Sequence, residues 1–191
     1  MKISKRTALL IVDVQKDFCP GGALAVPEGD EVVPIFNEYI DKFIAKGAAI
    51  FATRDWHPPN HVSFKSQGGM WPAHCVQNTE GANFHPHLHL PPNTVIISKA
   101  TQPNIEAYSG FEQTNLADLL HQLGVKVLLI GGLATDYCVK STVLDALEHG
   151  FQVYLLIDAV RGVDVQPGNS QRAIEKMEKA GAQKLCFADI E

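Results

Sequence analysis

The chain has 191 residues, of which 46% are hydrophobic and 19% charged, and its formal net charge is −5. That length allows one domain with a sizeable core. The balance is ordinary for a globular protein, and the absence of a Lys/Arg cluster argues against a nucleic-acid surface.

The start MKISKR is basic, but the apolar run after it breaks at Asp13, too early for a signal sequence. No stretch approaches a membrane span, so a cytoplasmic protein with no membrane partner is expected. TALLIVD (7–13) is apolar throughout, which suits a strand buried on both faces. Residues 31–46 carry Val32, Ile35, Phe36, Tyr39, Ile40, Phe43 and Ile44 at helical spacing, with Asp30 as the expected N-cap and Gly47 as the stop. Strands are predicted at 48–55 and 93–99, a helix at 115–124, and a strand at 125–132. A helix opens at Thr135, a strand covers 151–158, a helix covers 170–181, and AQKLCFA closes as a strand. This alternation predicts a three-layer α/β/α sandwich around a six-stranded, mostly parallel sheet. It is read as one domain over 1–191. Residues 56–92 break the alternation with Pro at 58, 59, 72, 86, 91 and 92 and His at 57, 61, 74, 85, 87 and 89. A loop that long is more often functional than idle.

Four cysteines and no CxxC pair favour free thiols over a disulfide framework. In open parallel sheets the working residues gather at the carboxyl ends of strands. Asp13, Asp55, Lys99 and the stretch GGLATDYC all fall at such ends. Cys138 is then expected in the first turn of its helix, where the helix N-terminus and Lys99 would lower the thiol pKa, with Asp13 able to take its proton. Taken singly, each of the three is as readily structural: Asp13 a strand cap, Lys99 solvent-facing, Cys138 core filler. A second group, Asp55 with His57, His61 and His74, has the chemistry of a site for Zn²⁺, Fe²⁺ or Mn²⁺. His85, His87 and His89 read as a surface loop.

LLIVDVQKDFCPGGALAVPEGDEVVP, RDWHPPNHVSF, WPAHCVQNTEGANFH, SKAT, AYSGF and GLATDYCV closely resemble the nicotinamidases, a branch of the isochorismatase-like cysteine hydrolases. The resemblance covers nearly the whole chain. It implies a nucleophile at Cys138, an acid/base at Asp13 and Lys99 as third member of a triad. It implies one divalent metal, with Zn²⁺ the first candidate, on Asp55, His57 and His74, and His61 as a fourth ligand used in some members. A cis peptide at Leu133–Ala134 would aim the amide of Ala134, with that of Cys138, at an oxyanion. Phe18, Leu24, Trp71 and Tyr108 match positions that line a ring pocket. The implied partner is the small molecule nicotinamide, in salvage toward NAD, and a homo-oligomer is allowed.

Overall fold

The computed structural model describes residues 1–191. The strands are β1 (Thr7–Val12), β2 (Ala49–Asp55), β3 (Val95–Lys99), β4 (Val127–Leu133), β5 (Gln152–Arg161) and β6 (Gln183–Leu185). The helices are α1 (Val32–Ala45), α2 (Leu116–Gln122), α3 (Lys140–Glu148) and α4 (Asn169–Ala180). The six strands form one sheet in the order β3-β2-β1-β4-β5-β6. Every pairing in it is parallel.

The sheet is central because its strands alternate two apolar faces. In β1, Leu9 and Ile11 pack into one core with Val32, Phe36, Tyr39, Ile40 and Phe43 of α1. Ala8, Leu10 and Val12 pack into the other core with Leu116 and Leu120 of α2, Val143 and Ala146 of α3, and Met177 of α4. Strands buried on both sides must be apolar throughout, as TALLIV is. No helix is long and apolar enough to cross a membrane.

The strand order fixes where a site can form. From β1 the chain builds outward through β2 to β3, then crosses to β4 on the other side of β1. The crevice at that switch point lies beyond the carboxyl ends of β1 and β4. Asp13 leaves β1 there with φ of +50°, and Cys138 follows β4.

Local details depart from the sequence expectations. Asp30 does not cap α1. It sits inside a 3₁₀ turn, Gly29–Glu31, and Glu31 precedes the first helical residue. The helix expected from Thr135 begins as a π-helical turn, Thr135–Val139, and becomes α-helical only at Lys140. β5 runs on to Arg161, past an irregularity opposite Ile130 to Gly132. The closing strand stops at Leu185. Asp189 Oδ2 accepts the Cys186 N–H at 2.9 Å and Asp158 Oδ2 accepts the Phe187 N–H at 2.8 Å, drawing the chain out of the ladder.

Close approach of β4 to β1 needs glycine at one position. Gly132 has φ of +124°, and a Cβ there would lie 2.1 Å from the Val12 carbonyl oxygen. Gly132→Ala is therefore expected to cost at least about 3 kcal/mol in denaturant unfolding, from overpacking and a disallowed backbone together. Unchanged stability would mean that the two strands do not meet this closely.

Candidate active site

Four segments deliver the site. β1 ends in Asp13, β2 in Asp55, β3 in Lys99, and β4 leads into the turn carrying Cys138. All four side chains are buried. Lys99 is 1% exposed, so it is not the solvent-facing lysine its type would suggest. Its ammonium hydrogen-bonds Asp55 Oδ1, donates to the Ala107 carbonyl at 3.3 Å and lies 3.5 Å from Cys138 Sγ. It is also 3.0 Å from Asp13 Oδ2. That oxygen is nonetheless without a well-directed hydrogen bond, and Asp13 Oδ1 takes one from the Thr53 hydroxyl at 2.6 Å.

The electrostatics follow from this packing. Burial works against the Lys99 ammonium, but Asp13 and Asp55 overcome it and hold Lys99 protonated well above the usual range. Burial pushes the Asp13 carboxyl up, more than Lys99 pulls it down. Burial also acts upward on Asp55, but Lys99, through its charge and its hydrogen bond, and the two nearby imidazoles together outweigh it and hold Asp55 below the usual range. The Cys138 thiol is raised well above the ordinary value: burial dominates, Lys99 opposes, and both carboxylates add to the rise. The lowered thiol expected from a helix start and a cation is thus not found. The α-helix starts after the cysteine, and the cation is shared with two carboxylates. At rest Cys138 is a thiol.

Asp55 also faces the long loop. His57 and His74, 17 residues apart, meet because the loop folds on itself. The His57 N–H donates to the Cys75 carbonyl at 3.0 Å and the Gln77 N–H donates to the His57 carbonyl at 2.8 Å. Ligand atoms of Asp55, His57 and His74 lie within 4.8 Å of one another, all buried. His57 Nδ1 donates to the His74 carbonyl at 3.1 Å, and His74 Nδ1 donates to the Pro72 carbonyl at 2.8 Å. A carbonyl only accepts, so each Nδ1 carries its proton and each Nε2 is left with a lone pair. Burial lowers the His57 pKa to about 4 and lowers that of His74 as well, which keeps both rings neutral. One carboxylate and two neutral imidazoles with bare Nε2 atoms fit a divalent metal. His61 does not join them. Its ring is 4.3 Å from that of His57, centroid to centroid, but its Nε2 bonds the Ile105 carbonyl at 2.9 Å and its Nδ1 bonds Ser63 at 2.7 Å. Both nitrogens are committed within the loop.

A cavity opens above these groups, lined by Phe18, Leu24, Trp71 and Tyr108 together with Asp55, His57, His74 and Cys138. Trp71 Nε1 donates to the Tyr108 hydroxyl at 3.0 Å. Tyr137 packs edge-on to Trp71 with centroids 5.2 Å apart. The peptide Leu133–Ala134 is cis, and Ala134 lines the same cavity.

Sequence reading missed three supporting groups. The Gln15 carboxamide accepts the Asp55 N–H at 2.8 Å and donates to the Asp55 carbonyl at 2.8 Å, pinning that residue's backbone. The Asp136 carboxylate accepts the N–H groups of Val163 and Asp164 at 2.9 and 3.0 Å, tying the turn of Cys138 to a segment that lines the cavity. Thr53 holds Asp13. The one signal available for each was a polar residue inside or beside an apolar run.

Fold and site together define an α/β protein with a buried thiol at its topological switch point, next to a carboxylate–imidazole cluster. The isochorismatase domain model matches residues 7–189. A nicotinamidase of Escherichia coli (strain K12) is 45% identical over 205 residues, covering 96% of each chain. The crystal structure of a pyrazinamidase of Pyrococcus horikoshii in complex with zinc has a TM-score of 0.92 at 58% identity, covering 95% of this chain and 99% of its own. An L. infantum protein crystallised in complex with nicotinate has a TM-score of 0.91 at 33% identity, covering 100% of this chain and 98% of its own. The chain belongs to the isochorismatase-like hydrolases, on their nicotinamidase branch.

Metal-free protein is expected to lose stability as pH falls from about 6.5 to about 4. In that window the unfolded chain protonates a histidine that folded His57 keeps neutral, so protons favour the unfolded state. Thermal melts of chelator-treated protein check this, and His57→Gln should flatten the dependence. A melting temperature that rose on acidification would contradict the neutral imidazole.

Proposed function

We propose that the protein is a metal-dependent cysteine amidohydrolase that converts nicotinamide and water to nicotinate and ammonia, and that it also accepts pyrazinamide. The observation that carries this reading is the convergence of Lys99 Nζ with Cys138 Sγ and Asp13 Oδ2, where Cys138 itself lines a cavity shared with Phe18, Trp71 and Tyr108. The activities named for the relatives, and the nicotinate and zinc named for two solved structures, support it. Residues 1–191 act as one domain, with 56–92 as its metal-site loop.

The chemistry demands a proton carrier. An amide is a weak electrophile, and its nitrogen departs as ammonia only if protonated. Phe18, Leu24, Trp71 and Tyr108 hold the ring so that the carboxamide carbon lies over Cys138, which supplies orientation. Asp13 Oδ2 accepts the thiol proton as sulfur attacks. Lys99 stays an ammonium, balances Asp13 and lies against the developing thiolate. The backbone N–H groups of Ala134 and Cys138 receive the oxyanion. Asp13 returns its proton to the nitrogen, ammonia leaves, and a thioester remains. Water then attacks the thioester, Asp13 takes one of its protons and passes it to the departing sulfur, and the product acid and the Cys138 thiol form together. A divalent metal held by Asp55 and the Nε2 atoms of His57 and His74 supplies, when bound, a Lewis-acid anchor for the pyridine nitrogen. Zn²⁺ is the first candidate, with Fe²⁺ and Mn²⁺ served by the same ligands. The reaction suits cytoplasmic salvage of nicotinamide toward NAD.

Cys138→Ala is expected to abolish ammonia release from nicotinamide while leaving the melting temperature within a few degrees of the parent. Substantial residual activity would remove Cys138 from the nucleophile role. Asp55→Ala and His57→Ala should each lose bound metal by elemental analysis and raise the KM for nicotinamide. Stoichiometric metal in either variant would show that the ligands lie elsewhere.

A further inference from the structure

Thr53 is fully buried near the end of β2, and its hydroxyl has no role in the chemistry above. It donates to Asp13 Oδ1 at 2.6 Å. The same residue receives the Asp13 N–H, through its carbonyl at 3.2 Å and its hydroxyl oxygen at 3.3 Å. Asp13 is thus gripped at the backbone and at one carboxylate oxygen, just where its φ of +50° departs from the strand.

The Thr53 rotamer is itself fixed from outside. The backbone of Gly110 approaches so closely that a Cβ there would stand 2.8 Å from the Thr53 methyl. The Gly110 N–H is anchored in turn by the Thr142 hydroxyl at 3.0 Å. A β-branched side chain with its methyl wedged this way presents its hydroxyl in one direction.

We infer that Thr53 is a positioning residue for the hydrolysis: it occupies Asp13 Oδ1 and so leaves Oδ2 as the single oxygen turned to Cys138. A carboxylate free to rotate would present either oxygen at either angle. With Oδ1 engaged, Oδ2 is left 3.0 Å from the Lys99 ammonium without a well-directed hydrogen bond, and the carboxylate stands within 4.8 Å of Cys138 Sγ. A general base works only within hydrogen-bond reach of its proton, so alignment of that one oxygen governs the rate. Thr53 is not among the residues that line the cavity, which makes its effect one on turnover rather than on substrate affinity.

The inference rests on Asp13 as the proton acceptor. The test compares Thr53→Val, which keeps the methyl and removes the hydroxyl, with Thr53→Ser, which does the reverse. Thr53→Val is expected to lower kcat for nicotinamide about 100-fold with KM changed less than about threefold, while Thr53→Ser keeps kcat within about fivefold of the parent. Metal content by elemental analysis should be unchanged in both. The inference falls if Thr53→Val turns over at the parental rate, or if Thr53→Ser is as slow as Thr53→Val, which would make the methyl the operative group. It falls also if metal is lost in step with kcat, since the effect would then run through Asp55 on the same strand. Should Thr53→Val not fold, the pair Thr53→Ser and Thr53→Ala carries the same comparison. If the parent protein releases no ammonia from nicotinamide, the substrate reading fails on its own. Thr53 is then read from the rate of Cys138 alkylation by iodoacetamide, which is expected to fall in Thr53→Val and to hold in Thr53→Ser. Equal alkylation rates in the two would overturn the inference.

Discussion

One buried ammonium organises this molecule. Lys99 Nζ sits at the carboxyl ends of the strands with no access to water, against Asp13, Asp55 and Cys138. A lone charge in that position would be prohibitively costly, and a lone carboxylate equally so. The two carboxylates and the cation therefore stand or fall together, with one net negative charge among them. The strand order β3-β2-β1 sets Lys99, Asp55 and Asp13 side by side. The register between β2 and β3 places Asp55 directly opposite Lys99.

The two functions of the site divide at Asp55. One oxygen is committed to Lys99, and the other faces the His74 ring at 4.0 Å. A single side chain thus belongs to both the thiol site and the imidazole cluster. Its neighbours are tuned in opposite senses. Lys99 holds Asp55 ionised, burial holds Asp13 nearer its neutral form, and burial keeps Cys138 a thiol. Separating two carboxyl groups in this way assigns the ionised one to a cation and leaves the other able to accept and return a proton. A resting thiol beside a proton acceptor also keeps a reactive thiolate from standing exposed before substrate arrives.

The architecture was legible in the sequence because a parallel sheet buried on both faces leaves unbroken apolar runs, and because strand ends mark the working edge. TALLIV and VKVLLIGG could be nothing else in this alternation. Asp13, Lys99 and Cys138 stand out because each lies at or just beyond the carboxyl end of such a run. The cluster of Asp55, His57 and His74 was legible from residue type. What the sequence could not carry was the state of each group. The commitment of His61 Nε2 to Ile105, the raised thiol and the burial of Lys99 all depend on contacts between segments far apart in the chain. The π-helical turn at Thr135–Val139 was likewise hidden, since its residues read equally well as the first turn of an α-helix. Thr53, Gln15 and Asp136 were invisible for the same reason: a lone polar residue declares its partner only when the strands are assembled.

The shared cation can be tested directly through the unfolding free energy of metal-free Lys99→Met, Asp13→Asn and the double variant. If Lys99 neutralises the buried carboxylates, Lys99→Met alone costs about 3–5 kcal/mol, because both are left unpaired. Removing the Asp13 charge as well should then recover part of that loss, with a coupling of at least about 1 kcal/mol. A cost below about 1 kcal/mol for Lys99→Met, with strictly additive effects in the double variant, would show that the ammonium does not hold the site together.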